Sequence, residues 1–355
     1  MFQKRTGRLA RFLDRSAGIF VLAALSFLRK RRSRPSHPRS FCFVKTGGMG
    51  DMVLLSAVIR QISLKYPEAE MTIVCSPENR EAAELMTPCR VVVADHRRPV
   101  QLIRLRKLRT SDVLIDFGAW PRFDALISLL IPSRWRIGFR TEGQHRHFCY
   151  DEISDHNKKI HELDNYYNIA GRYCEQTGVL PKLEAEKRAG LEKTVILHMY
   201  CGGHRYKSRM WAFENWAKLA KEIKNCGLYL AFTSYSAESP HLEAFLRNEG
   251  INAFIIADRP LVELASNFSS CLGVISVNCG ISHFASACGA PVVELAGSVN
   301  PNRWGTLGAN TACVAPPEIA KMLCYGFEKD ADKNSMDKVS VADVFSVAKK
   351  TIPLY

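Results

Sequence analysis

The sequence lacks the short motifs by which several classes of nucleotide-binding and metal-binding protein are recognised. It contains no GxxxxGK[ST] segment, which excludes a P-loop, and the glycine-rich turn at residues 47–50 lacks the third glycine of a dinucleotide-binding GxGxxG motif. The twelve cysteines stand singly, with no CxxC pair and no Cys/His cluster at zinc-ligand spacing. We therefore expect free thiols in a reducing cytosol and no structural metal.

Long apolar segments and internal repeats are also missing. Residues 16–28 (SAGIFVLAALSFL) form an apolar stretch shorter than the roughly 18 to 20 residues that cross a bilayer as a helix. The stretch continues into RKRRSR rather than a signal-peptidase site, so we expect no cleaved leader. With 355 residues, 47% of them apolar and 24% charged, the chain has a globular composition and enough length for two domains.

Positive charge is concentrated at the N-terminus. Residues 1–40 contain eleven Lys or Arg and one Asp, a net charge of +10, whereas the rest of the chain carries +4. Each cation near an anionic leaflet contributes about 1 kcal/mol, so this extension is predicted to lie as a helix on an anionic membrane surface, followed by a linker at 33–40. A helix packed on the protein body is the alternative. A nucleic-acid-binding tail is disfavoured, because the charge accompanies an apolar face rather than stacking aromatics.

Residues 41–185 are predicted to form an α/β domain with a parallel sheet. Apolar, β-branched runs at 41–44, 71–76, 91–95 and 112–118 alternate with helical stretches. The first run is followed by Gly47, Gly48 and Gly50, and a helix is predicted to start near Asp51, with Val53, Leu54, Ala57, Val58 and Ile62 facing the sheet. Open α/β sheets bind ligands at this edge. A tight turn in which Asp51 only caps the helix remains the alternative.

Residues 190–330 repeat the same alternation and are predicted to form a second α/β domain. Strands are predicted at 194–199, 228–234, 253–258, 272–278 and 291–297, and Trp211, Trp216, Leu219 and Ala220 fit one face of a helix. A final segment, 335–355, is predicted to be a helix that packs back on the N-terminal domain.

Two loops of this second half carry groups suited to an anion. Arg205, Lys207 and Arg209 lie beside glycines, and cations near a helix start are typical of diphosphate sites. In the second loop, Gly280 follows a strand and His283 falls in the first turn of the next helix, whose N–H groups would face an arriving anion. A solvated basic loop and a packing histidine are the alternatives.

Four segments, in this order and spacing, resemble glycosyltransferase family 9, the heptosyltransferases of lipopolysaccharide core synthesis. They are FVKTGGMGDMVLLSAVIRQI, LHMYCGGHRYKSRMWAFENWAKLA, NCGISHFASACGAPVVEL and GSVNPNRWGTLG, and they extend from about residue 41 to 310. The resemblance implies a GT-B fold of two Rossmann-like domains facing a cleft, with the acceptor on the N-terminal side and the nucleotide sugar on the C-terminal side. It also implies inverting transfer without an obligatory metal or other cofactor.

The resemblance further implies roles for individual residues. Asp51 matches the family's general base, and Gly47, Gly48 and Gly50 form the acceptor-side loop. Arg209 stands where the family usually has a donor-binding Lys, and Glu238 matches the acid that binds the donor ribose. The other donor-binding positions correspond to Lys207, Asn278, Cys279, Gly280 and His283. Asn278 stands in place of the usual Asp, Cys279 in place of Thr or Ser, and the loop after His198 lacks the usual proline.

These departures leave the donor open, with ADP-heptose as the family default. The expected partners are a nucleotide sugar and a lipid-linked saccharide acceptor, on a cytoplasmic protein held peripherally at the inner face of the bacterial inner membrane, and no nucleic acid. A non-catalytic saccharide-binding or nucleotide-sugar-binding relative is an alternative. An NAD-dependent oxidoreductase is another, disfavoured by the incomplete glycine motif.

Overall fold

The structure, a computed structural model, describes residues 22, 24, 33–86, 88–95, 97–120, 122–175, 178–202, 206–320 and 335–354. Most of the predicted membrane-binding helix within 1–40 therefore lies outside the described residues, as does Arg205. The described chain divides into two units. The N-terminal unit comprises residues up to 157 together with 162–179, and the C-terminal unit comprises 158–161 together with the residues from 180 onward.

The N-terminal unit is built on a six-stranded parallel sheet in the order β3-β2-β1-β4-β5-β6. Its strands are β1 (Ser40–Lys45), β2 (Glu70–Cys75), β3 (Arg90–Val93), β4 (Ser111–Asp116), β5 (Ser133–Arg140) and β6 (Glu152–Asp155). Its helices are α1 (Met49–Lys65), α2 (Arg80–Glu84), α3 (Pro99–Leu102), α4 (Arg122–Leu130) and α5 (Glu162–Ala170), with 3-10 turns at Ile103–Lys107 and Arg146–Cys149. This strand order is that of the Rossmann fold, in which ligands bind where the order reverses, beside β1 and β4.

The C-terminal unit repeats this arrangement in the order β9-β8-β7-β10-β11-β12. Its strands are β7 (Thr194–His198), β8 (Tyr229–Ser234), β9 (Phe254–Ala257), β10 (Gly273–Val277), β11 (Val292–Leu295) and β12 (Thr311–Val314). Its helices are α6 (Phe213–Asn225), α7 (Ser239–Asn248), α8 (Leu261–Ser270), α9 (Gly280–Ala287), α10 (Pro301–Trp304), α11 (Pro317–Ala320) and α12 (Val341–Thr351), with 3-10 turns at Tyr206–Arg209 and Ser335–Lys338. The site at this sheet's reversal point lies beside β7 and β10.

The central strands are buried on both faces, which explains why they are continuous apolar runs. In β1, Phe41 and Phe43 lie on one face and Cys42 and Val44 on the other, and all four are buried. Helix α1, which follows this strand, has a buried apolar face that includes all five predicted residues. Fully burying a side chain of this size contributes about 1.5–3 kcal/mol, so the packing fixes the β1 end from which the first loop starts.

All nine predicted strands are present, but three further strands were missed. β5 carries Arg134 and Arg136, and such charges are not expected in a buried strand. Arg136 is nevertheless buried, because its guanidinium donates to the carbonyl oxygens of Ser128 (3.0 Å) and Ile131 (2.7 Å). β6 and β12 are four-residue edge strands, too short to give a periodic pattern. In addition, Trp211 precedes helix α6 rather than lying on it, and its indole donates to the carbonyl of Val339.

The prediction that the C-terminal segment packs on the N-terminal domain is wrong. Helix α12 lies within the C-terminal unit, where Val344, Ala348 and Ile352 join the hydrophobic core. A Cβ atom on Gly273 would come within 2.6 Å of Ile352, so the end of this segment packs directly on the backbone of β10. The amphipathic face of α12 thus covers the nearest exposed sheet face, that of its own unit.

Among the described residues, no helix is both long enough and apolar enough to cross a bilayer.

Candidate active site

The loop between β1 and α1 presents Asp51 at the reversal point of the N-terminal sheet. Gly48 is the N-cap of α1, Gly50 lies in its first turn, and the Asp51 carboxylate reaches back so that its Oδ2 accepts a hydrogen bond from the Gly48 N–H at 3.2 Å. This is half of a capping box. The capping interpretation of Asp51 is therefore correct for one carboxylate oxygen.

Gly47 is required by this close approach. A Cβ atom at residue 47 would lie 2.8 Å from Asp51 Oδ2 and 3.1 Å from Lys45 Cε. The first contact is shorter than real Cβ contacts, so a side chain at residue 47 would displace the Asp51 carboxylate, and the second would require a small shift of Lys45. The turn therefore keeps Lys45 and Asp51 together.

Three groups hold the Asp51 carboxylate. Besides the capping contact, Lys45 Nζ lies 3.8 Å from Oδ2, and the Tyr166 hydroxyl donates to Oδ1 at 3.4 Å. Lys45 is itself fixed, because its ammonium donates to the carbonyl of Phe117 at 3.2 Å and lies 5.0 Å from the centre of the Tyr166 ring. About a quarter of the Asp51 side chain (26%) remains exposed. The carboxylate is thus oriented yet open to a hydroxyl group from solution, as a general base must be.

A second carboxylate, Asp124, lies behind this loop and was not anticipated. The Thr46 hydroxyl donates to Asp124 Oδ1, and a Cβ atom at Gly118 would come within 2.5 Å of Oδ2. Burial, together with the charge of Asp116, raises the pKa of the Asp124 carboxyl to about 6, although Arg146 opposes the shift. Asp124 therefore gains a proton on folding at mildly acidic pH.

Asp116, at the end of β4, belongs to a buried cluster. Its Oδ2 accepts hydrogen bonds from Arg146 Nη2 at 2.8 Å and from the Tyr150 hydroxyl at 2.5 Å, and Arg146 also donates to the Tyr150 oxygen at 3.0 Å. The guanidinium balances the buried Asp116 charge, since the Asp116 and Arg146 side chains are both fully buried. This cluster fixes the end of β4 next to the Asp51 loop.

In the C-terminal unit, the turn between β10 and α9 carries four predicted donor-binding residues. Cys279 is the N-cap of α9, and its sulfur accepts the N–H of Ser282 in a capping box. Gly280 begins the helix, and His283 lies in its first turn, buried to all but 8%. The N–H groups of this turn are the part of the helix suited to a phosphate.

Arg209 lies at the same turn, as its predicted role requires. Its Nη1 donates to the carbonyl of Asn278 at 3.4 Å and its Nη2 to the carbonyl of Gly202. Its Nε is buried without a hydrogen-bond partner among the described residues. Lys207, two residues earlier in the same 3-10 turn, is exposed.

Glu238 and His198 lie together at the ends of the neighbouring strands. Glu238 is the N-cap residue of α7, and its Oε2 is buried without a hydrogen-bond partner in the described part of the chain. Burial raises the pKa of the Glu238 carboxyl, and a backbone hydrogen bond at Tyr235, followed by the nearby charge of His198, partly offsets this. His198 ends β7, and its Nδ1 shares a hydrogen bond of 2.7 Å with Thr233 Oγ1.

Asn278 is explained by a buried carboxylate that sequence reasoning missed. Its amide nitrogen donates to the carbonyl of Trp304 at 3.0 Å, and its side chain lowers the pKa of the nearby Glu294 carboxyl. Glu294 accepts hydrogen bonds from Ser282 Oγ at 3.0 Å and from the N–H of Thr306 at 3.2 Å. An ionised Asp at 278 could not donate to the Trp304 carbonyl and would place a second negative charge near Glu294. No local pattern marks Glu294, which follows two valines in an apolar strand.

Among the described residues, no three His, Cys, Asp or Glu side chains are grouped so that they could hold a metal ion. The N-terminal unit therefore offers an accessible carboxylate. The C-terminal unit offers a guanidinium beside the N–H groups of a helix start. These are the groups needed to deprotonate a hydroxyl and to stabilise a phosphate leaving group.

Two Rossmann-like units with these loops define a glycosyltransferase of the GT-B fold. The sequence profile of glycosyltransferase family 9 (heptosyltransferase) matches residues 105–334, and the chain belongs to this family. The lipopolysaccharide core heptosyltransferase OpsX of Haemophilus influenzae is 24% identical over 288 residues, which cover 75% of this chain and 81% of that protein.

Solved structures agree with the fold. The glycosyl transferase family 9 protein of Veillonella parvula superposes with a TM-score of 0.73 at 15% identity, covering 91% of this chain and 99% of that one. The Escherichia coli heptosyltransferase WaaC with ADP gives 0.70 at 16% identity, covering 88% and 99%. The E. coli ADP-heptose lipopolysaccharide heptosyltransferase II gives 0.69 at 16% identity, covering 88% and 98%.

Proposed function

We propose that this enzyme transfers a heptose from ADP-heptose to a sugar of the lipopolysaccharide core, with inversion at the anomeric carbon. Membership of family 9 supports the class of reaction, and the similarity to OpsX, a lipopolysaccharide core heptosyltransferase, and to the E. coli ADP-heptose heptosyltransferase suggests the donor and the acceptor. The observation that carries the proposal is the oriented, partly exposed carboxylate of Asp51 at the carboxyl end of β1.

Asp51 is proposed as the general base. As an acceptor hydroxyl attacks the anomeric carbon, the carboxylate takes the hydroxyl proton, and the bond between that carbon and the diphosphate oxygen breaks. Such proton transfer typically contributes about 10²–10⁴-fold to the rate. Lys45 and Tyr166 hold the carboxylate in place, since each contacts a different oxygen.

Arg209 and the start of α9 are proposed to hold the diphosphate, with Lys207, Gly280 and His283 around it and Glu238 at the ribose. A guanidinium and helix N–H groups stabilise the negative charge that grows on the leaving group. On this proposal no metal is needed, because the developing charge is met by the protein's own cations. The N-terminal extension of net charge +10 is proposed to hold the enzyme against the anionic inner face of the bacterial inner membrane.

The central test is Asp51→Asn, which keeps the size of the side chain and removes its basicity. We expect transfer to fall by about 10²–10⁴-fold while ADP binding, measured by isothermal titration, stays within about twofold. Asp343→Asn is the matched control, because Asp343 also stands at the third position of a helix and bonds its cap residue, Ser340. It changes a capping contact on α12, remote in the chain from the proposed site residues.

Near-wild-type transfer by the Asp51→Asn enzyme would show that Asp51 is not the general base.

The donor is tested separately by a thermal-shift panel of ADP-sugars and UDP-sugars, because a ligand that binds only the folded state raises its melting temperature. Stabilisation by ADP-heptose is expected, and stabilisation by UDP-sugars alone would contradict the proposed donor.

A further inference from the structure

Cys279 occupies a position that favours a thiolate. As the N-cap of α9 it has an extended backbone (φ −163°, ψ −179°), and its sulfur accepts the N–H of Ser282. The side chain is partly exposed. The partial positive charge at a helix start stabilises an anion placed there, and thiolates at helix N-termini are more reactive than ordinary thiols.

A histidine lies beside this thiol. β7 and β10 are neighbours in register, with His198 opposite Ser276, so the imidazole projects toward the turn that begins at residue 278. Its Nδ1 is held by Thr233, and its charge lowers the pKa of the Cys279 thiol. Ser276 Oγ also approaches the sulfur, at 3.6 Å.

These contacts outweigh burial. Burial by itself raises the pKa of the Cys279 thiol, but the charge of His198 and the contacts of the sulfur with Ser276 and Ser282 bring the pKa below its usual value. Burial without such partners raises the pKa of Cys288 to about 12. Cys279 therefore differs from an inert core thiol.

Arg209 supplies a second, independent feature of the same turn. Its guanidinium is bonded to the carbonyl of Asn278, the residue before Cys279, and its Nε is buried without a hydrogen-bond partner among the described residues. The guanidinium thus lies at the same turn as the thiol and retains one buried N–H without a hydrogen-bond partner among the described residues. An anionic group formed on the sulfur would find a partner there.

We propose that Cys279 is a reversible oxidation site for hydroperoxides, and that its oxidation blocks the diphosphate position of the donor. The second part rests on the proposed function. The thiolate sulfur attacks one peroxide oxygen, the S–O bond forms, the O–O bond breaks, and the leaving hydroxide or alkoxide takes a proton. Sulfur is oxidised to a sulfenic acid while the peroxide is reduced to water or an alcohol, and added thiols restore the cysteine.

The first experiment measures thiol reactivity without any sugar donor. The full-length protein is treated with limiting iodoacetamide from pH 5 to 9 and, separately, with hydrogen peroxide followed by a sulfenic-acid probe, and labelling is read by peptide mass spectrometry. Cys226 is the reference, since it is partly exposed at the end of α6 and its thiol donates to the carbonyl of Glu222. While a thiol's pKa lies above the ambient pH, each unit by which the pKa falls raises the net rate by about threefold, because the gain in thiolate exceeds the loss of nucleophilicity.

We expect Cys279 to react several-fold faster than Cys226 at pH 6 to 7 and to carry the sulfenic-acid label. His198→Asn removes the imidazole and is expected to slow labelling of Cys279 several-fold and move its pH midpoint upward, with Cys226 unchanged. Equal rates for Cys279 and Cys226 in the wild-type protein would overturn the inference, whether or not the variant folds.

The second experiment separates this inference from the proposed function. ADP binding is titrated with the reduced protein, with protein oxidised at Cys279, and after reduction by dithiothreitol. We expect binding to be lost on oxidation and restored by the reductant. Undiminished binding with Cys279 fully oxidised would overturn the blocking role, whereas absence of ADP binding in the reduced protein would refute the proposed donor site instead.

Discussion

Replacing Arg209 with Ala tests the donor side of the site most directly. Two of the guanidinium nitrogens already donate to the carbonyls of Asn278 and Gly202, so the group is held in place before any ligand arrives. The Nε–H is buried and has no partner among the described residues. A diphosphate that enters this turn would therefore meet a cation that needs little reorganisation.

The size of the effect follows from the bonds lost. A hydrogen bond to a charged group contributes about 1.5–3 kcal/mol, so Arg209→Ala should weaken ADP binding by about 10-fold to 150-fold. The same change leaves the carbonyls of Asn278 and Gly202 without their donor, which should lower the free energy of unfolding by about 1–3 kcal/mol. Arg209→Lys keeps the charge but not the planar fork, so its ADP affinity should lie between that of the wild type and that of Arg209→Ala.

The assay is isothermal titration with ADP, accompanied by urea unfolding of each variant. Lys221→Ala is the control, because Lys221 is an exposed cation on α6 that pairs with Glu249 at 2.9 Å. Such surface pairs contribute about 0–1 kcal/mol to stability, and ADP affinity should not change. A folded Arg209→Ala protein that binds ADP as tightly as the wild type would refute the role assigned to this residue.

Three further predictions concern other parts of the protein. Because the pKa of the Asp124 carboxyl is higher in the folded protein (about 6) than in the unfolded chain, the contribution of this group to stability is greatest below about pH 4 and declines by on the order of 3 kcal/mol as pH rises through 6. Asp124→Asn should flatten that decline in urea unfolding measured from pH 4 to 7, whereas Asp155→Asn, on an exposed strand, should not. Deleting residues 1–38 should abolish co-sedimentation with anionic vesicles and leave the melting temperature within a few degrees. Removing divalent ions with EDTA should leave the transfer rate unchanged.

Each of these has a clear contrary result. An unchanged pH profile for Asp124→Asn would show that this carboxyl group does not titrate as its burial implies. If the truncated protein still sediments with the vesicles, the globular body binds the membrane and the N-terminal extension is not required. Loss of transfer in EDTA that returns with Mg²⁺ would require a metal in the reaction.

The sequence by itself determined the two-domain α/β architecture. The central strands of a parallel sheet are buried on both faces, so they are short apolar runs that stand out locally, as in β1, β4 and β10. The loop that carries Asp51 was also identifiable, because its glycines directly follow such a run. Strand β5 was not, since the burial of Arg136 there depends on the carbonyl groups of Ser128 and Ile131, in the segment that precedes the strand.

Tertiary structure alone decided which distant residues share a site. Glu294 and Asn278 are 16 residues apart, and His198 and Cys279 are 81 apart, yet each pair interacts because β7, β10 and β11 are adjacent in the sheet. The packing of α12 on its own unit could likewise not be predicted from hydrophobic periodicity. Periodicity predicts that a helix has an apolar face, but not which surface that face packs against. Local patterns fix elements, but contacts between elements depend on strand order and register.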